Sequence, residues 1–254
     1  MAILETSDLT IAFGGQVAVD SVHLSIKEKS FTSIIGPNGA GKTTLFNLLS
    51  GQLKPTKGHI FFKGEEMTNL SPTKRTRKGM GRSFQITNVF PSLTVLENVR
   101  LAVQSQVGVR YQMLRHFSSY KKMTEEAYYL LERVMMEKKA NTVASNLAHG
   151  EKRKLEIAML LALQTDLLLL DEPTAGMSLE EVPAILDIIK EIKKSNERTI
   201  LLIEHKMDMI MDLSDGIVVL FNGRKLAEGS PDEIMKNETV QTAYLGGLYD
   251  DNTA

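Results

Sequence analysis

Hydrophobic spacing changes twice along the chain. In the first third, Val22, Leu24 and Ile26 alternate with polar residues, the period of a half-buried strand. Ser30 to Ile35 (SFTSII) is a β-type run, and His59 to Lys63 (HIFFK), entered after Pro55 and Gly58, predicts another short strand. From about Thr94 to Ala140 the chain turns rich in Leu, Met, Glu and Lys, which predicts helices with a polar break at Ser118-Ser119. Glu151 to Leu163 sets Leu155, Ala158, Met159 and Ala162 on one helical face and Lys152, Arg153 and Glu156 on the other. The last third returns to mixed spacing. Leu167 to Leu170 and Thr199 to Ile203 are solid apolar runs, as in strands buried on both faces. Between them, Val182, Ile185, Leu186, Ile189 and Ile192 form a helical stripe. Gly216 to Phe221 and Lys225 to Ala227 flank Asn222-Gly223, a hairpin turn signal. The tail from Tyr249 to Ala254 is expected to fray. The pattern predicts an α/β core interrupted by a helical insertion of about 60–70 residues.

The loop after the SFTSII strand carries the first chemistry. Gly36 to Thr44 reads GPNGAGKTT and fits G-x-x-x-x-G-K-[ST], with a strand before it and the helical run TLFNLLSG after it. Glycines let the backbone curl so that successive N–H groups point at phosphate oxygens, and the new helix adds the positive end of its dipole. Gly36, Asn38, Gly39, Ala40, Gly41, Lys42, Thr43 and Thr44 are therefore candidate nucleotide-binding residues. Lys42 would reach the β- and γ-phosphates, and the Thr43 hydroxyl would sit on Mg²⁺. A Gly-rich structural turn is the bland alternative.

Three further segments gain meaning beside that loop. LLLLDEP delivers Asp171 at the carboxyl end of a buried strand, where ligands of parallel sheets sit. Asp171 can hold Mg²⁺ through water, and Glu172 can orient and deprotonate an attacking water; both could instead cap the next helix. Gln85, after a short β-type run, can accept from water and coordinate Mg²⁺. His205, at the end of the Thr199 to Ile203 strand, can donate to a γ-phosphate oxygen. Taken alone, Gln85 and His205 are as readily structural.

Composition narrows the class. The 254 residues are 43% apolar and carry a net charge of −1, unlike a basic nucleic-acid binder, and suit one large domain or two close lobes. The absence of Cys excludes disulfides, thiolate metal sites and a Cys nucleophile. MAILETSDLT lacks the features of a signal peptide. The longest apolar run, Ile157 to Leu163, is far short of a membrane span, so the chain is read as soluble by itself, with any membrane role reached through a partner.

The order of these segments resembles the ATP-binding cassette (ABC) ATPases over nearly the whole chain. That resemblance implies a P-loop NTPase (RecA-like) α/β fold with an antiparallel β subdomain and a helical insertion. The expected single domain has its core in residues 1–85 and 160–254 and its helical part in 86–159. It implies ATP and Mg²⁺ as cofactors. Lys42 and Thr43 match Walker A, Gln85 the Q-loop glutamine, Asp171 the Walker B aspartate, Glu172 the catalytic glutamate and His205 the switch histidine. Thr43, Gln85 and Asp171 would form the metal side. Phe13, in LTIAFGG, sits where the family places an aromatic under adenine, with a core Phe as the alternative.

Two departures stand out. The family signature L-S-G-G-Q is here Leu147-Ala148-His149-Gly150-Glu151, so Ala148 lacks the serine hydroxyl offered to the opposite subunit's ATP, while the Gly150 N–H remains. A weakened but functional composite site is expected. In Ala175-Gly176-Met177-Ser178, Ser stands where Asp is common, and Ser178-x-x-Glu181 reads as a helix cap.

GRSFQITNVFPSLTVLENVRLA, LAHGEKRKLEIAMLLA, AGMS and QTAYLGG look like ATP-binding subunits of branched-chain amino acid importers. Urea-importer ATPases, lipopolysaccharide-export ATPases and non-transport ABC ATPases are the alternatives. The resemblance implies a second ABC ATPase subunit packed head to tail, integral-membrane permease subunits, an indirect solute-binding protein, and a place on the cytoplasmic face of the membrane. Ile86 to Arg100, with Val89, Phe90, Leu93, Val95, Glu97 and Arg100, is the expected groove for a membrane-subunit helix. The basic run Lys74 to Lys78 is read as a solvated helix face in preference to a lipid contact.

Overall fold

The structure is a computed structural model, and it describes residues 1–83, 89–106 and 117–245. Gln85, the start of the expected groove at Ile86 and the tail from Tyr249 lie outside the described residues.

Two sheets organise the chain. The first is antiparallel, in the order β2-β1-β4-β5, from β1 (Ala2–Phe13), β2 (Gln16–Lys27), β4 (Lys57–Phe62) and β5 (Glu65–Glu66). The second, in the order β10-β9-β3-β8-β7-β6, uses β3 (Phe31–Ile35), β6 (Met80–Arg82), β7 (Leu167–Asp171), β8 (Thr199–Ile203), β9 (Gly216–Phe221) and β10 (Arg224–Gly229). Its strands β9, β3, β8, β7 and β6 run parallel. β10 joins by the antiparallel hairpin that Asn222-Gly223 foreshadowed.

The solid apolar runs are explained by burial on both faces. Along β7 and β8, Leu168, Leu170, Ile200 and Leu202 pack on one side. Leu167, Leu169, Leu201 and Ile203 pack on the other. The first face meets α5 (His149–Ala162) and α6 (Val182–Lys194), and the same core continues into α3 (Val95–Gln106) and α4 (Phe117–Arg133). The second face meets α1 (Lys42–Ser50) and, beyond it, the antiparallel sheet. Over β3, β9 and β10 the sheet is covered by α7 (Met207–Leu213) and α8 (Pro231–Lys236) through a small apolar cluster that includes Ile35, Ile217, Ile210 and Ile234.

Three expectations are corrected. Ser118-Ser119 does not break a helix: both residues lie within α4. The polar face of α5 is not solvated throughout. Arg153 and Glu156 are buried and paired at 2.7 Å, because the helix has packed neighbours on more than its apolar side. The basic run falls on α2 (Pro72–Arg77), and its Arg75 points inward, 1% exposed.

Arg75 closes the far end of α1. Its guanidinium donates to Leu48 O at 2.7 Å, Leu49 O at 2.6 Å and Thr68 O at 3.0 Å, and its Nε donates to Leu70 O at 3.1 Å. A cation on the last carbonyls of a helix answers both their lone pairs and the negative end of the dipole. Burial lowers the Arg75 pKa to about 10, still charged at neutral pH. Arg75→Met should therefore lower stability by about 3 kcal/mol, the scale of hydrogen bonds to a charged group, read as a shift in the urea midpoint.

Candidate functional site

Strand order brings the candidate residues together. β3, β8 and β7 are neighbours and parallel, so the loop after β3, His205 after β8, and Asp171-Glu172 at the end of β7 emerge on one carboxyl edge. A cavity of about 210 Å³ opens there, lined by Asn38, Gly39, Ala40, Gly41, Lys42, Thr43, Thr44, Glu172, His205 and Ala18 of β2.

Glycine is required at two points of the loop. Gly36 has φ 152° and Gly41 has φ 96°. A Cβ would lie 2.1 Å from Leu220 O at Gly36 and 2.5 Å from Ala18 O at Gly41. The loop thus curls against backbone on both sides, and α1 starts at Lys42 with its free N–H groups toward the cavity. Lys42 Nζ donates to Gly36 O at 2.6 Å and Pro37 O at 3.0 Å. Burial lowers its pKa, while the Glu172 and Asp171 carboxylates oppose that shift.

Across the cavity, Glu172 Oε1 and His205 Nε2 lie 2.9 Å apart. Glu172 sits at φ 45°, left-handed backbone that a non-glycine residue adopts only under constraint, and its N–H is held by Ile203 O at 2.9 Å. Asp171 is fully buried. Burial raises its pKa, and the Arg82 guanidinium on its Oδ2 at 2.8 Å opposes that.

The donor set fits a nucleotide with a hard divalent cation. Asp171 Oδ1 is buried with no hydrogen-bond partner, and the Thr43 hydroxyl lies at the cavity wall. Among the described residues no cluster of three or more His, Asp or Glu could cage a metal by itself. One carboxylate, one hydroxyl and phosphate oxygens are what Mg²⁺ usually takes.

Phe13 is not a core residue. It ends β1 at the hairpin with β2 and is 49% exposed, leaving a ring available for stacking near the cavity's Ala18 side. Ala148 and Gly150 do not line the cavity. Ala148 precedes α5, its N–H taken by Glu151 Oε2 at 3.1 Å, and Gly150 N–H donates to Glu181 Oε1 at 3.2 Å. Glu181 Oε2 meanwhile accepts from Ser178 N at 3.2 Å and Oγ at 3.1 Å, so the two residues pair as expected, but α6 starts at Val182 with Glu181 and not Ser178 at its N-cap.

Two residues that sequence reasoning passed over, Arg82 and Glu204, shape the site together with Glu181, which it read only as part of a helix cap. Arg82 clamps Asp171, and Glu181 occupies the Gly150 amide. Glu204 is buried beneath the pair: its Oε1 accepts from Thr174 N at 3.1 Å and Oγ1 at 2.5 Å, and its Oε2 from His205 N at 3.0 Å. A carboxylate ending the apolar TILLI run was a readable signal for Glu204, the same one that marked Asp171.

Comparison with known proteins agrees with this geometry. The family described as "ABC transporter" matches residues 19–175. The chain belongs to the ABC transporter ATPase family. A second family, described as "Branched-chain amino acid ATP-binding cassette transporter", matches residues 224–250. The chain is 41% identical over 249 residues to the high-affinity branched-chain amino acid transport ATP-binding protein BraF of Pseudomonas aeruginosa, covering 96% of this chain and 98% of the relative. The crystal structure of the ADP conformation of MJ1267, an ATP-binding cassette of an ABC transporter, superposes with TM-score 0.82 at 28% identity, covering 97% and 99% of the two chains. A dimeric post-hydrolysis state of the cassette MJ0796 bound to ADP and Pi gives 0.76 at 25% identity, covering 90% and 98%. The expected P-loop NTPase fold holds, and the chain is an ATPase whose hydrolysis powers transport.

Glu204→Gln replaces an acceptor by a donor beneath Thr174 and His205. It should lower kcat about tenfold through misplacement of His205, with nucleotide affinity within about twofold of the original, as steady-state ATPase and equilibrium binding would show.

Proposed function

We propose that this chain is an ATPase subunit of an importer for branched-chain amino acids. The match of residues 224–250 to a family described for that solute class carries the cargo assignment, and the similarity to BraF over nearly the full chain supports it. The facing of Lys42 and the Glu172–His205 pair across one cavity supports the chemistry.

The residue roles we assign rest on the family resemblance, and the cavity geometry supports them. The N–H groups from Asn38 to Thr44 and the Lys42 ammonium hold the β- and γ-phosphates, and Phe13 offers its ring to adenine. Mg²⁺, when bound by Thr43 and, through water, Asp171, with Gln85 as a further ligand, supplies charge neutralisation between the phosphates. Glu172 takes a proton from the attacking water as its oxygen bonds the γ-phosphorus. The bond from that phosphorus to the β–γ bridging oxygen breaks, and ADP leaves with the electron pair. His205 Nε2, resting on Glu172 Oε1 in this structure, turns to a γ-phosphate oxygen and releases that carboxylate oxygen for the proton.

The site is half of a composite. Ala148 and Gly150 lie away from the cavity, which suits a signature loop that completes the site of a second subunit packed head to tail. The exposed Leu179, beside Ser178, suits contact across such a dimer. The dimeric MJ0796 structure is a precedent within the fold. In the single chain Glu181 holds the Gly150 N–H, so a phosphate arriving from the partner replaces one anion with another.

An apolar cavity of about 350 Å³ lies between β6, α3 and α5, with Phe90, Leu101, Ala102 and Met159 among its walls. It is the docking place we assign to a permease helix, with Phe90, half exposed, at its mouth. No helix among the described residues is long and apolar enough to cross a membrane, so permease contact would hold the chain on the cytoplasmic face, where a solute-binding protein acts on it only through the permease.

Reconstitution with permease subunits and a solute-binding protein of a branched-chain amino acid importer tests the whole reading. Leucine, isoleucine or valine should stimulate ATP hydrolysis and be taken up, and stimulation by urea alone would reassign the cargo. Glu172→Gln should bind ATP normally, lose about 10²–10⁴-fold in hydrolysis, and accumulate as a dimer with ATP in light scattering. Ala148→Ser should raise turnover of the assembled transporter by restoring a hydroxyl to the γ-phosphate, a contact worth ~1.5–3 kcal/mol.

A further inference from the structure

Arg82 reaches from the edge of the sheet into the centre of the site. It ends β6, opposite Leu169 of β7, and its side chain is 7% exposed. One terminal nitrogen donates to Asp171 Oδ2 at 2.8 Å. The other donates to Asn47 Oδ1 at 2.7 Å and Ser50 Oγ at 2.8 Å, both on α1. The guanidinium carbon lies 5.8 Å from the centre of the Phe46 ring, also on α1. The planar fork is therefore fixed on three sides, and a lysine could not make the same set of bonds. Beside it, Ser83 Oγ accepts the Asp171 N–H at 3.2 Å.

This arrangement uses one oxygen of Asp171 and spares the other. Oδ2 is committed to Arg82, and Oδ1 stays buried without a partner. Because Arg82 is tied to α1, the acid is registered against the helix whose first residues are Lys42 and Thr43. We propose that Arg82 is a positioning residue for cation binding: it orients Asp171 relative to α1 so that Oδ1 remains available to a cation-bound water beside Thr43. The proposal rests on the reading of Asp171 as the acid of the metal side. Supporting groups behind a ligand typically change metal affinity by ~10–100-fold when removed.

Mn²⁺ binding to the full chain with a non-hydrolysable ATP analogue tests this without catalysis, by electron paramagnetic resonance. Arg82→Met, of similar length and without charge, should weaken Mn²⁺ at least about tenfold. Its affinity for the analogue in EDTA should stay within about twofold. Arg82→Lys should fall between Arg82→Met and the original, and it carries the test if Arg82→Met does not fold. Asp171→Asn should weaken Mn²⁺ as well, and adding Arg82→Met to it should cost nothing more, because there is no carboxylate left to orient. Original Mn²⁺ affinity in both Arg82 variants, an equal fall in metal-free nucleotide binding, or additive losses in the double variant would each overturn the proposal. Original Mn²⁺ affinity in Asp171→Asn would instead remove the reading of Asp171 on which it stands.

Discussion

Asp171 is a buried carboxylate at the end of a strand of four leucines. An isolated charge in such a place would be neutralised or would unfold its surroundings. Here the guanidinium of Arg82 holds the carboxylate, the Ser83 hydroxyl accepts the Asp171 backbone N–H, and α1 in turn holds the guanidinium. Much of the site follows from that constraint. The helix that carries Lys42 and Thr43 at its start is locked at its side by Arg82 and at its end by Arg75, so its first turn meets the acid in a set register.

The same logic of buried charge recurs one strand away. Glu204 lies under His205 as Asp171 lies beside Glu172, each at the end of a fully apolar strand. In both cases an inner carboxylate is buried and an outer group faces the cavity: Glu204 accepts backbone N–H groups, and Asp171 accepts from the Arg82 guanidinium. The outer pair, Glu172 and His205, satisfy one another at 2.9 Å and are partly exposed. The groups that exchange partners in the proposed mechanism stand at the surface of the edge, and the buried carboxylates stand behind them. The signature loop shows the same separation at longer range: its Gly150 amide is kept satisfied by Glu181 on the segment that follows β7.

Much of this was legible in the sequence where chemistry is written in adjacent residues. GPNGAGKTT and LLLLDEP carry their spacing within themselves, and the strands that present them read as solid apolar runs. The misreadings share a cause. Arg75 looked like one of four solvated basic residues because its partners on α1 lie 26 and 27 residues earlier. Arg82 had no local mark, since its acid is 89 residues away. Arg153 and Glu156 were assigned to the polar face of a helix by periodicity, which cannot know that the helix is enclosed on that side as well. The core-residue alternative for Phe13 failed for a related reason: an aromatic at a strand end can be left exposed by the hairpin that follows it.

By itself, then, the sequence determined the kind of elements, the phosphate loop and the acids at the strand ends, because strand burial and loop curvature depend on residues a few positions apart. Only the tertiary structure decided which charges are buried, which amide of the signature loop is already engaged, and which oxygen of Asp171 is left over. Those outcomes depend on strands β3, β8, β7 and β6 lying side by side, and sheet order is set by packing between segments far apart in the chain.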